Sequence, residues 1–170
     1  MTTTTKTTKT TTRKKLAVTD PQVKLPPNPF QHEILELVSA QRTKDKKIQI
    51  LKEFANDALK AILIWNFDDS VVSMLPEGVV PYQENEVPVG TDHTSLRREW
   101  KHLYNFVRGG NSSLSSLRRE TMFIQILEGL HPEEAKILCL VKDKQLQTKY
   151  KINKDIVAQA FPDIQWGGRS

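Results

Sequence analysis

Residues 33 to 67 read EILELVSAQRTKDKKIQILKEFANDALKAILIWNF. Ile34, Leu35, Leu37 and Val38 recur at helical spacing, as do Ile48, Leu51, Phe54 and Ala55, and then Leu59, Ile62, Leu63 and Phe67. Between these runs stand residues that start helices. Thr43 can accept a backbone amide at the head of the second run, and Asn56 or Asp57 at the head of the third. The spacing predicts three helices before residue 68.

Working outward toward the C-terminus, residues 68 to 91 hold Pro76, Pro81, Pro88, Gly78 and Gly90, which interrupt a helix or a central strand. A long loop is expected there, with one extended piece near residues 79 to 82. Helical spacing returns at Leu96, Trp100, Leu103, Tyr104 and Val107 and stops at Gly109-Gly110, where the first glycine suits a left-handed cap. Asn111-Ser112-Ser113 is read as the cap of a helix through Leu114, Leu117, Ile124 and Leu127, whose wide apolar face marks it as the central helix. His131-Pro132-Glu133-Glu134 opens another, with proline at its first position and acids in its first turn. Asn153 caps a last short helix that Pro162 ends. The expected fold class is all-α, a compact bundle of about seven helices. Its predicted core includes Leu59, Ile62, Trp100, Leu103, Leu117, Ile124, Leu127 and Phe161.

Outward in the other direction, MTTTTKTTKTTTRKK is followed by Pro21, Pro26, Pro27 and Pro29. So little apolar material cannot offset chain entropy, so residues 1–29 are expected to form a disordered tail and residues 30–170 the helical domain. The tail has no apolar region of the secretory kind, and no run approaches the roughly 18 apolar residues of a spanning helix. A cytoplasmic protein without a membrane partner is the expectation. The single Cys139 lies in the apolar run AKILCLV, which excludes a disulfide framework and cysteine-based zinc sites.

The formal charge is +5, from 25 lysines and arginines against 20 acids. Lys6, Lys9, Arg13, Lys14 and Lys15 precede the first acid, Asp20, so the remainder of the chain is neutral. Its charges are nevertheless segregated. Residues 68 to 92 hold six acids and no base, while residues 97–119 and 136–154 each hold six bases and one acid. If the basic segments join Lys44, Lys46 and Lys47 on one side, the domain has a positive face with the acidic loop away from it. Solvated helix faces account for the same charges equally well.

Chemistry that would make the chain an enzyme is missing from the sequence. His32-Glu33 lacks the second histidine of a metalloprotease helix, and His93, His102 and His131 have no partners at ligand spacing. No GxGxxG, P-loop or GxSxG occurs. No catalytic residue, cofactor or metal is expected.

The order of these segments resembles the N-terminal helical DNA-binding domain of the ATP-dependent DNA ligases of T-even phages. The matching pieces are residues 33–67, a helix ending in VRGGNSSLSSL, and EEAKILCLVKDKQLQTKYKINKDIVAQAFPDI, and the resemblance covers residues 31 to 164. The resemblance implies an all-α module that packs on the minor groove of duplex DNA and contacts its backbone. Gly110, Asn111 and Ser112 would offer amides at a helix N-terminus to a phosphate. Lys142, Lys144, Lys149, Lys151 and Lys154 would form a second basic loop, joined by Lys44, Lys46, Lys47 and Arg108. Two departures stand out: no KxDG adenylation motif occurs, and Gln147-Thr148-Lys149 replaces a segment in which those ligases usually carry glycine. The implied protein is non-catalytic and phage-encoded, and grips duplex DNA without sequence specificity in the host cytoplasm or the virion. The alternative is a protein-interaction or virion structural module on the same scaffold, its acidic loop 68–92 binding a phage or host protein.

Overall fold

The opening stretch folds as its caps dictate. In the computed structural model, which describes residues 25–88 and 93–169, α1 is Gln31–Ala40, α2 is Lys44–Glu53 and α3 is Asp57–Phe67. The Thr43 side chain accepts from the Lys46 amide and the Asn56 side chain from the Leu59 amide, so each polar residue satisfies a donor that its helix leaves open. Then come α4, Leu96–Glu99, a 3-10 helix over Trp100–Phe106, α5, Ser116–Gly129, and α6, Pro132–Lys142. A 3-10 turn at Leu146–Thr148 precedes α7, Lys154–Ala160, which Asn153 caps as predicted. The class is all-α; among the described residues, extended pairing is limited to the isolated bridges Ser73–Val107 and Thr94–Leu130. No described helix is long and apolar enough to cross a membrane.

Helix α1 packs on α2 and α6, α2 on α7, and α3 on α6, α4 and the 3-10 helix. Leu59, Ile62 and Leu63 of α3 meet the same core as Ile137, Leu138 and Val141 of α6, all fully buried. The central helices are therefore α3 and α6, a correction to the reading that put α5 at the centre. Helix α5 buries Arg119, Phe123 and Leu127, leaves Ile124 half-buried and leaves Leu117 75% exposed. Trp100 is half-buried as well, whereas Leu59, Ile62, Leu103, Leu127 and Phe161 are buried as predicted.

Two further expectations are corrected. Leu96 to Val107 is not one α-helix: after one turn it tightens into the 3-10 helix, and its end pairs with residues 72–74 through Met74 N to Phe106 O and Arg108 N to Val72 O, both at 2.8 Å. A 3-10 helix rises further per residue than an α-helix, which lets the segment reach that pairing. Residues 79 to 82 form no strand. The Thr/Lys tract lies outside the described residues. Leu25 and Pro29, which the sequence reading put in the tail, pack against the domain: Leu25 touches the core, and the Pro29 carbonyl accepts both Nε and an Nη of Arg97.

Candidate functional site

The residues expected to bind phosphate fall into three groups. Lys44, Lys46, Lys47, Lys151 and Lys154 gather where α2 packs on α7. Lys47 Nζ donates to the Lys151 carbonyl, Lys44 pairs with Asp155, and the Lys151 amide donates to Ser39 Oγ at the end of α1. Lys154 lies over the Trp166 ring. Lys46 and Lys151 are exposed, and neither ammonium has a partner among the described residues. Lys149 stands nearby, bonded at 2.9 Å to Glu133, whose carboxyl Lys149 and Lys136 hold down at about 2.

Lys142 and Lys144 do different work. Lys142 is 2% exposed, and its ammonium donates to the carbonyls of Pro76 (2.7 Å) and Gly78 (3.1 Å) and to Asp143 (2.6 Å). Lys144, at φ 56, donates to the carbonyls of Trp65 and Asp68, both at 2.7 Å, and so caps the C-terminal end of α3; burial pushes its pKa down. Neither ammonium is free for a phosphate. The acidic loop thus folds directly onto these two lysines instead of lying away from them. Asp68 itself is buried. Burial raises its pKa, but hydrogen bonds from Ser70, the Gly167 amide and Arg169 outweigh that and hold it at about 2.

Arg108, Gly110, Asn111 and Ser112 form the third group, beside the 3-10 helix. The helix expected to open at Asn111 opens at Ser116, capped by Ser115. The Gly110 amide already donates to Val107, and Asn111 Oδ1 accepts from Ser113. The phosphate cradle implied by the resemblance is therefore absent in that form. A Cβ at position 110 would overlap the Tyr104 carbonyl oxygen, so only glycine fits where the chain passes the Tyr104 backbone. Tyr104, assigned to the buried face from its spacing, is 53% exposed.

The structure also joins what the sequence scattered. His32, His131 and His93 line up in a column, His32 stacked on His131 with centroids at 4.7 Å and His93 tilted against His131 at 5.9 Å, and Phe30 lies against the first two. Residues so far apart in sequence give no spacing signal. Among the described residues, no group of three His, Cys, Asp or Glu side chains is placed to hold a metal. The column instead depends on neutral imidazoles, because His131 Nδ1 accepts the Glu133 amide at 3.1 Å and caps α6. Burial first, then the neighbouring imidazoles, lowers the pKa of His32 and His131; Glu33 and Glu133 oppose this, and Lys149 and Lys136 add to it.

The folded protein thus binds fewer protons at these sites than the unfolded chain, whose histidines titrate near ~6.5. Their contribution to stability is complete above that pH and is lost as the pH falls through it. Unfolding free energy should decline from about pH 7.5 to about pH 5.5. His131→Asn, which keeps an acceptor at the cap but cannot titrate, should make the decline shallower. An identical slope in that variant would show that the column does not titrate with folding.

The chain belongs to a family of unknown function, DUF6433, which it matches over residues 34–148, from α1 through the Leu146–Thr148 turn. No curated protein and no solved structure matches it.

Proposed function

We propose that the protein is a non-catalytic module that grips the backbone of duplex DNA without sequence specificity, using the edge where α2 meets α7. The observation that carries this reading is the meeting there of Lys44 with Asp155 and of Lys47 with Lys151, segments over 100 residues apart, which brings the helix that also carries Lys46 against the start of the one that carries Lys154. Two of these five cations, Lys44 and Lys47, have partners that are exposed. Exposed pairs are weak, so a phosphate can replace them. The resemblance of residues 31 to 164 to the helical domain of phage DNA ligases supports the same ligand class and a phage origin.

The test is a mobility shift with two unrelated duplexes at several salt concentrations. Lys46→Glu combined with Lys151→Glu should weaken both complexes by a similar factor and flatten the slope of log affinity against log salt by about 2, at roughly 0.9 per phosphate contact. Neither position is buried, so folding should be unaffected. Binding that ignores both substitutions, or that prefers one duplex strongly, would remove the reading.

A further inference from the structure

A second cationic surface lies on the 3-10 helix. In a 3-10 helix, residues three apart eclipse one another. Arg98, at the end of α4, Lys101 and Tyr104 therefore form one row, and Arg108 follows the end of the 3-10 helix, its amide held by the Val72 carbonyl. Helix α5 packs on the 3-10 helix and carries Arg118 in its first turn. All five side chains are exposed. Unlike Lys44, Lys136, Lys142, Lys144 and Lys149, not one of them has a hydrogen bond, ion pair or ring contact to another described residue. The one acid within residues 96–110, Glu99, has its Oε1 occupied by Thr94 Oγ1 at 2.8 Å.

The surface is also built rigidly. Arg119 is buried, and its guanidinium donates to the carbonyls of Asn105 (2.9 Å), Asn111 (3.1 Å) and Leu114 (3.3 Å). One side chain thus ties the 3-10 helix, the glycine turn and the approach to α5 together. Asn111 adds a bond from its Nδ2 to Asn105 Oδ1 at 2.9 Å. Tyr104 and its cations are held on a fixed frame, which lowers the entropy cost of engaging a ligand.

We propose that the row Arg98, Lys101 and Tyr104, aided by Arg108 after the 3-10 helix and Arg118 in the first turn of α5, binds single-stranded nucleic acid. The cations take phosphates and the Tyr104 ring takes the face of an unstacked base. An exposed aromatic ring set among uncommitted cations fits a single strand, whose bases can leave the stack; in a duplex the base faces are covered by one another. A peptide of Asp and Glu would use the cations but offers the ring no aromatic face. The surface is separate from the α2–α7 edge: α2 packs chiefly on α1 and α7, and the 3-10 helix on α3, α4 and α5.

The test is fluorescence anisotropy with labelled oligo(dT) and the full chain, at several salt concentrations. Tyr104→Ala should weaken binding about 5- to 150-fold, the range of one base–aromatic stack. Tyr104→Phe keeps the ring and should stay close to wild type. Arg98→Glu, Lys101→Glu and Arg108→Glu together should flatten the salt slope by about 2, at roughly 0.7 per phosphate on a single strand. The Lys46→Glu, Lys151→Glu variant should bind oligo(dT) normally, so a failure of the duplex reading and of this one are read in different arms. Absence of oligo(dT) binding, a Tyr104→Ala variant that binds like wild type, or displacement of oligo(dT) by poly-glutamate as effectively as by unlabelled oligo(dT) would overturn the proposal.

Discussion

Glu134→Ala should lower the free energy of unfolding by about 2 to 6 kcal/mol, at roughly 1 to 3 for each buried donor left without a partner. The side chain is fully buried, and its two oxygens accept the Gln31 amide at 2.9 Å and the Leu96 amide at 3.0 Å. One carboxylate thus serves the first turns of both α1 and α4 from a position inside α6. Burial pushes its pKa up, and the two amides and Arg97 oppose that shift. Glu134→Gln keeps one oxygen in place and should cost clearly less than the alanine change. Chemical denaturation of the three proteins checks the order; equal midpoints for wild type and Glu134→Ala would show that the two helix starts do not depend on it.

Leu127→Ala should cost about 2 to 5 kcal/mol, through the lost burial of its methyl groups and the cavity left behind. Leu127 is fully buried, in the α5 face that also carries Phe123, whose ring meets Phe106 edge-on at 5.2 Å. Leu117→Ala is the internal control. It lies ten positions earlier on the same helix and is mostly exposed, so its loss should be within about 0.5 kcal/mol. Comparable losses at the two positions would mean that the face of α5 turned to the core has been misassigned.

That pair of leucines shows where the sequence was legible and where it was not. Caps that act within three residues could be read: Thr43, Asn56, Asn153 and the His131-Pro132 start all lie where the helices begin. The onset of α5 could not be read, because Asn111, Ser112, Ser113 and Ser115 all offer a capping oxygen. The choice falls to Arg119, which holds the carbonyls of Asn111 and Leu114 outside the helix. A polar residue therefore belongs to the inward face, and a count of apolar positions turned the helix toward Leu117. The α-to-3-10 change after Glu99 depends on pairing with residues 72–74 and left no mark in the apolar spacing.

For the site, the segregation of charge was visible, but the destination of each ammonium was not. Lys142 and Lys144 look like Lys149 and Lys151 in one dimension, yet the first two bind carbonyls of the loop and of α3. Tyr104 had the spacing of a core residue because it follows Leu103, which is one. Lys47 and Lys151 could be named from charge alone. Their meeting could not, since it requires α2 and α7 to pack.

The attachment of the first helices to the last ones also sets when the protein can finish folding. Gln31 meets Glu134, Lys47 meets Lys151 and Lys44 meets Asp155, so α1 and α2 take partners from residues more than 100 positions later. At a synthesis rate of about 5 to 20 residues per second, the α1–α2 hairpin waits on the order of 5 to 25 seconds for the chain that covers it. During that interval the faces carrying Ile34, Leu35, Val38 and Leu51, all buried in the finished domain, are open to solvent and to other nascent chains. A helical protein assembled in this way folds later and more slowly than a bundle built from neighbouring hairpins, because its decisive contacts are its most distant ones.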